Sequence, residues 1–197
     1  MRRFHKCVIE YFDDEYSRDI DIDEINSNFK ESSYDDDNDI SLIESEEECI
    51  NFDELTKLYF ERHNNLHKFL NSKKYPKSHF TEMHQYKSND AIWSYGGIQY
   101  FIEFKNTSKP NGKEIYSKIK DSLLIYLEIM DESISVSKEK LGYILVYNPD
   151  SYDKIQSTVK SFANQKIDKF GLRANLEDFY FKKVMTLSKE EFENLIK

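Results

Sequence analysis

Apolar and polar positions change period several times along the chain, and each change marks a predicted element. Leu55, Leu58, Tyr59, Leu66 and Phe69 recur at helical spacing behind a capping residue, Asn51 or Asp53. They predict a first helix near 53–71 that Lys73, Lys74 and Pro76 terminate. Strands follow. Residues 80–86 alternate weakly, whereas 90–95 and 98–105 are rich in aromatic and β-branched residues, and Gly96-Gly97 between them spells a two-residue hairpin turn. Tyr116, Ile119, Leu123, Leu127 and Met130 lay an apolar stripe along a second helix at 114–130. A short apolar strand at 141–147 is stopped by Asn148-Pro149. The resulting order is α-β-β-β-α-β, an α/β domain placed at 49–197. A helix at about 151–169 ending at Gly171, a strand over 178–186 and a short last helix opened by a Ser188/Glu191 capping box complete it.

Charge changes the picture at the N-terminal end. The net charge is -9, but the excess is local. Residues 1–9 carry Arg2, Arg3 and Lys6, residues 10–48 hold 17 acidic against 2 basic residues, and 49–197 is mildly basic at +3. A run such as Tyr34-Asp35-Asp36-Asp37-Asn38-Asp39, with Glu46-Glu47-Glu48 behind it, has little apolar surface to bury. Residues 1–48 are therefore expected to form an acidic N-terminal arm, mobile or loosely packed, with Phe29, Ile40, Leu42 and Ile43 as points where it can pack down. Such an arm is either simply solvated, or it competes for a nucleic-acid groove or recruits a protein partner. No run approaches the roughly 18 apolar residues a membrane span needs, and the first residues reach Glu10 with no apolar signal core, so a cytoplasmic protein without membrane contact is expected. Cys7 and Cys49 form no spaced framework and no CxxC, which excludes a disulfide scaffold and a zinc ribbon.

The hairpin carries the candidate chemistry, because a two-residue turn fixes register. With Tyr95 paired to Ile98, Trp93 faces Tyr100, Ala91 faces Ile102, and Asp90 falls opposite Glu103 on the same face of the sheet. Two carboxylates about 5 Å apart repel each other unless a cation or a proton sits between them, which points to a metal. Lys105 shares that face two residues beyond Glu103. Glu103-Phe104-Lys105 is the one acid-x-base triplet in the chain, and it lies inside an aromatic strand where charge is otherwise unwelcome. The plainer alternative is a strand-end salt bridge between Lys105 and Glu103 or Asp90.

These residues resemble the PD-(D/E)xK phosphodiesterases, the restriction-endonuclease-like superfamily. The resemblance covers about 53–148: the α-β-β-β-α-β order, an acid opening the second strand (Asp90) and an acid-x-Lys triplet on the third (Glu103-Phe104-Lys105), with Asn89 where the motif name has proline. It implies a central mixed sheet flanked by helices and metal-dependent hydrolysis of nucleic-acid phosphodiester bonds. Asp90, Glu103 and the backbone carbonyl of Phe104 would hold Mg²⁺ or Mn²⁺, and Lys105 would orient the attacking water and offset phosphate charge. Hard oxygen ligands suit those ions. Some members add an acid from the first helix; the candidates here are Glu54 and Glu61, with Glu61 preferred. Lys118 and Lys120 flank the stripe of the second helix and are candidate contacts to a nucleic-acid backbone, or ordinary solvated lysines.

Other apparent motifs fail chemically. His63 and His67 stand at zinc spacing, but Asn64 occupies the place of a zinc protease's Glu base. His79 and His84 have no third ligand at a compelling spacing, and there is no phosphate loop and no GxSxG elbow. Trp93, on the face opposite Asp90, reads as core. The rival to a nuclease is a catalytically inactive protein of the same fold, a partner-docking or immunity-type module that uses the acidic arm.

Overall fold

The computed structural model describes residues 2–14, 17, 20–74, 87–149 and 169–197, with backbone alone for Arg2, residues 66–74 and Lys169. The chain is an α/β protein built on a six-stranded mixed sheet with helices on both faces. Its elements in chain order are α1 (Arg2–Phe12), β1 (Asn26–Asn28), the single turn α2 (Phe29–Ser32), a small hairpin of β2 (Tyr34–Asp35) and β3 (Ile40–Ser41), and β4 (Glu48–Asn51). Then come α3 (Phe52–Lys74), β5 (Ala91–Tyr95), β6 (Ile98–Lys105), α4 (Gly112–Ile129), α5 (Ile134–Lys140), β7 (Leu141–Tyr147), α6 (Leu172–Leu176), β8 (Lys183–Ser188) and α7 (Lys189–Leu195). The sheet runs β1-β4-β5-β6-β7-β8, antiparallel up to β6 and parallel from β6 to β8.

The β5–β6 hairpin has the expected register, from Tyr95 opposite Ile98 to Ala91 opposite Ile102. Gly96 and Gly97 both take positive φ, 57° and 78°, the conformation a tight two-residue turn needs and side chains resist. Alternation along β6 then sends Phe101, Glu103 and Lys105 to one face and Tyr100, Ile102 and Phe104 to the other. The first face packs α1, α3, α4 and α6 through Phe4, Val8, Leu55, Ile119, Leu123, Tyr126 and Leu172. The second packs Phe29 of α2 and Phe192 of α7 on Trp93, Tyr100 and Phe104. Gly142 lets β7 lie close to β6, since a Cβ there would stand 2.3 Å from the Tyr100 ring. The core reading of Trp93 holds: it is buried among Phe29, Phe192 and Tyr95.

Three expectations need correction. Residues 1–48 are not a loosely packed arm in their described parts. Phe4, Val8 and Phe12 bury one stripe of α1, Ile25, Phe29, Leu42 and Ile43 are buried, and β1 extends the sheet by pairing with β4, which itself crosses the boundary placed at 48/49. The acidic side chains line the outside of this cover, so charge density concealed a regular apolar set beneath it. The neighbour of β5 is β4, which precedes α3, so the described strand order differs from α-β-β-β-α-β; the strand expected at 80–86 lies outside the described residues. The strand expected at 178–186 is β8 at Lys183–Ser188, because Asp178 at φ 66° turns the chain just before it. The last helix begins as expected: Ser188 Oγ accepts from Glu191 N at 3.2 Å, and Glu191 accepts from Ser188 N at 2.7 Å. The helix expected at 151–169 falls almost wholly outside the described residues.

Candidate active site

The site forms where β5 begins, at Ala91 opposite Ile102, while its partner β6 runs on three residues to Lys105. Asp90 N still donates to Ile102 O at 3.0 Å, but the next donor on β6, Phe104 N, goes to the Asp90 carboxylate at 2.6 Å. A side chain thus replaces the backbone acceptor at the strand end and fixes Asp90 beside Glu103. The Phe104 carbonyl leaves the strand on the same edge as its N–H, toward Asp90. Glu103 sits on the helix-covered face with no solvent exposure, and Lys105 stands beyond it with a side chain 20% exposed. Asp90, Glu103 and Lys105 are therefore brought together, as the register predicted.

The cation between the two acids is Lys118. From the inner flank of α4 its Nζ reaches Asp90 Oδ1 at 3.1 Å and Glu103 Oε1 at 2.8 Å. Lys105 Nζ approaches the same Glu103 oxygen at 3.0 Å and also donates to Glu114 Oε1 at 3.2 Å. Among the described residues Glu103 Oε2 has no hydrogen-bond partner. Burial first, then Asp90, pushes the Glu103 carboxyl up to about 8 against the pull of both lysines. Burial alone would lower Lys118, but Asp90 and Glu103 outweigh it and raise the ammonium above its ordinary value. These two shifts make opposite demands, one favouring a protonated Glu103 and the other an ionised one. Two ammonium groups within 3.0 Å of Oε1 offset part of the burial cost, and the carboxyl stays raised above its ordinary value.

Other candidates separate. Lys120, two residues from Lys118 and about 200° around α4, is exposed and outside the cluster. The acid of α3 that stands beside Asp90 is Asp53, whose Oδ1 takes the Ser88 hydroxyl and whose carboxyl is raised by desolvation and by Asp90. By area Asp53 is exposed, yet neighbouring protein crowds its carboxyl enough for desolvation to dominate. Glu61 is exposed and lies about 12 Å farther along the helix, and Glu54 pairs with Lys57, so the preference for Glu61 is replaced by Asp53. Asp53 was available in the sequence as a first-turn acid, but capping is the usual use of that position. Glu114 was hidden in the same way, as a first-turn acid of α4. His63 pairs with Tyr11 and Glu128, the side chain of His67 is not described, and His79 and His84 lie outside the described residues.

A divalent ion fits this donor set in part. Asp90 and Glu103 supply hard oxygens, and Glu103 Oε2 is a buried acceptor without a partner, which a cation would satisfy. Among the described residues no group of three or more His, Cys, Asp or Glu gathers as a metal centre, so any further ligand would be a backbone carbonyl, Phe104 by position, or water. Among the described residues no helix is long and apolar enough to cross a membrane. No protein-family model, curated protein or solved structure matches this chain.

Proposed function

We propose that the chain hydrolyses nucleic-acid phosphodiester bonds with Mg²⁺ or Mn²⁺. The observation that carries this reading is the buried Glu103 carboxylate, left with an unpartnered oxygen beside Asp90 and Lys105 at an interrupted strand end. A domain gains no stability from an acceptor left in that state. Asp90 and Glu103, with the Phe104 carbonyl, are the groups that would hold the ion. Bound there, it would lower the pKa of a water molecule and polarise a phosphoryl oxygen. Lys105 is held between Glu103 and Glu114 with its side chain 20% exposed, where it would orient water and offset charge on the phosphate. Asp53 adds a further acid at the rim.

Calorimetric titration of the full chain with Mn²⁺ tests the reading before any substrate is chosen. Wild-type binding that Asp90→Asn abolishes and Lys105→Ala retains is expected, followed by metal-dependent cleavage of DNA or RNA that Lys105→Ala loses. Absence of wild-type binding sinks it. One observation favours the second reading, an inactive interaction module: Lys118 already neutralises both acids, as a purely structural cluster would. In that case the strongly acidic surface of residues 10–48 is the surface that engages a basic protein partner.

A further inference from the structure

Lys118 bridges Asp90 Oδ1 and Glu103 Oε1 and so stands between the two carboxylates that a divalent ion would have to join, even one that takes the open Glu103 Oε2. Its ammonium and such an ion exclude each other by size and by charge. Yet Lys118 has a second partner in reach on its own helix. Glu114 lies four residues earlier on α4, the spacing that puts two side chains on one flank, with the acid on the N-terminal side, the favourable order for such a pair. The Glu114 side chain is one-third exposed at the rim, against 15% for Lys118 in its present place. The lysine stem has enough rotatable bonds to move between the two positions with α4 fixed.

Resting on the metal-binding reading above, we propose that Lys118 is a tethered competitor of the divalent ion, bridging Asp90 and Glu103 without metal and swinging to the rim beside Glu114 when metal enters. The consequence is electrostatic. With Lys118 inside, the acids Asp53, Asp90, Glu103 and Glu114 outweigh Lys105 and Lys118; a divalent ion inside, with Lys118 retained beside Glu114, cancels that formal excess and moves one ammonium outward. Metal binding then removes the negative excess that would repel a phosphate polyanion, and Lys118 is placed where a phosphate oxygen would approach.

Two measurements on the full chain test this. The first is calorimetric Mn²⁺ titration of wild type and Lys118→Met. The second needs no variant: acylation of Lys118 in the wild type, read by peptide mass spectrometry with exposed Lys120 as internal reference, with and without Mg²⁺. The expected results are Mn²⁺ affinity at least tenfold tighter in Lys118→Met than in wild type, and Lys118 acylation several-fold faster with Mg²⁺. Equal affinities with wild-type Lys118 still protected overturn the displacement and leave the metal site standing. No Mn²⁺ binding to either protein overturns the metal site and the displacement together. Should Lys118→Met fail to fold, wild-type titration and labelling decide alone.

Discussion

Two charged clusters lie on the α4 side of the sheet, and they differ in almost every respect. Around Glu128, ten residues and about 15 Å along α4 from Lys118, every partner is satisfied. Tyr59 and Tyr11 donate to its two oxygens at 2.6 and 2.8 Å, and His63 Nε2 stands 3.2 Å away. Arg62 donates to Asp14 from Nε and Nη2 at 3.0 and 2.7 Å and covers the Tyr11 ring at 4.4 Å. The effect is a clasp tying α1 to α3 and α4, built from side chains that keep contact with water. The cluster around Glu103 is buried, joins two lysines to one carboxylate oxygen and leaves the other oxygen unpartnered. The clasp is what charge arranged for stability looks like; the Glu103 cluster carries a desolvation cost that structure alone does not return.

Stability measurements in EDTA can break that contrast. Lys118→Met leaves a buried carboxylate short of its closest cation and is expected to cost about 3–5 kcal/mol in urea unfolding. The pair change Glu103→Leu with Lys118→Met should recover to within about 1 kcal/mol of wild type. Asp90 keeps Phe104 N and Lys105 keeps Glu114 in that protein. In the clasp, Arg62→Met should cost about 1–2 kcal/mol, since its ion pair with Asp14 is only partly buried, and adding Asp14→Asn should recover little. A loss below about 1 kcal/mol for Lys118→Met would place the Glu103 cluster in the same class as a surface pair.

How much of this was legible follows from what each feature depends on. The Gly96-Gly97 turn sets the β5–β6 register by local backbone geometry, and that register alone puts Asp90, Glu103 and Lys105 on one face. The repulsion of two facing acids required a cation, but sequence pattern cannot choose between a bound ion and a lysine arriving from another element. Lys118 reaches the acids only because α4 packs with that flank inward, a tertiary fact. Asp53 and Glu114 occupy first turns, where helix dipoles already explain an acid. The N-terminal cover is masked in the sequence because its acids outnumber its apolar residues, although Phe4, Val8 and Phe12 recur every four positions.

Acidity offers a finer test, because the clusters titrate in opposite senses. Glu103 is raised from 4.5 to about 8, so its contribution to stability is full below 4.5 and is lost as pH rises toward 8. Burial would also raise Glu128, but its tyrosine and His63 partners hold it below 4.5; its contribution is present above 4.5 and is lost as pH falls through the lowered value. Urea unfolding between pH 5 and 8 should therefore give a steeper fall in stability for wild type than for Glu103→Gln. Below pH 4.5, Glu128→Gln should flatten the acid loss. Equal slopes in wild type and Glu103→Gln would remove the distinction between a strained carboxylate and a satisfied one.

The smallest expected effect belongs to Lys120, and it isolates position from charge. Lys118 and Lys120 are the same residue type, two positions apart on one helix, and differ in the flank they occupy. Lys120→Met removes the same charge as Lys118→Met, from the exposed side. It should change unfolding free energy by less than about 0.5 kcal/mol. It should also leave Mn²⁺ affinity within twofold of wild type, since an exposed charge is screened over about 10 Å at ordinary salt. If instead Lys120→Met tightened Mn²⁺ binding as much as Lys118→Met, the gain would come from lowering the overall positive charge of α4, and the contact between Lys118 and the two carboxylates would have no special part in it.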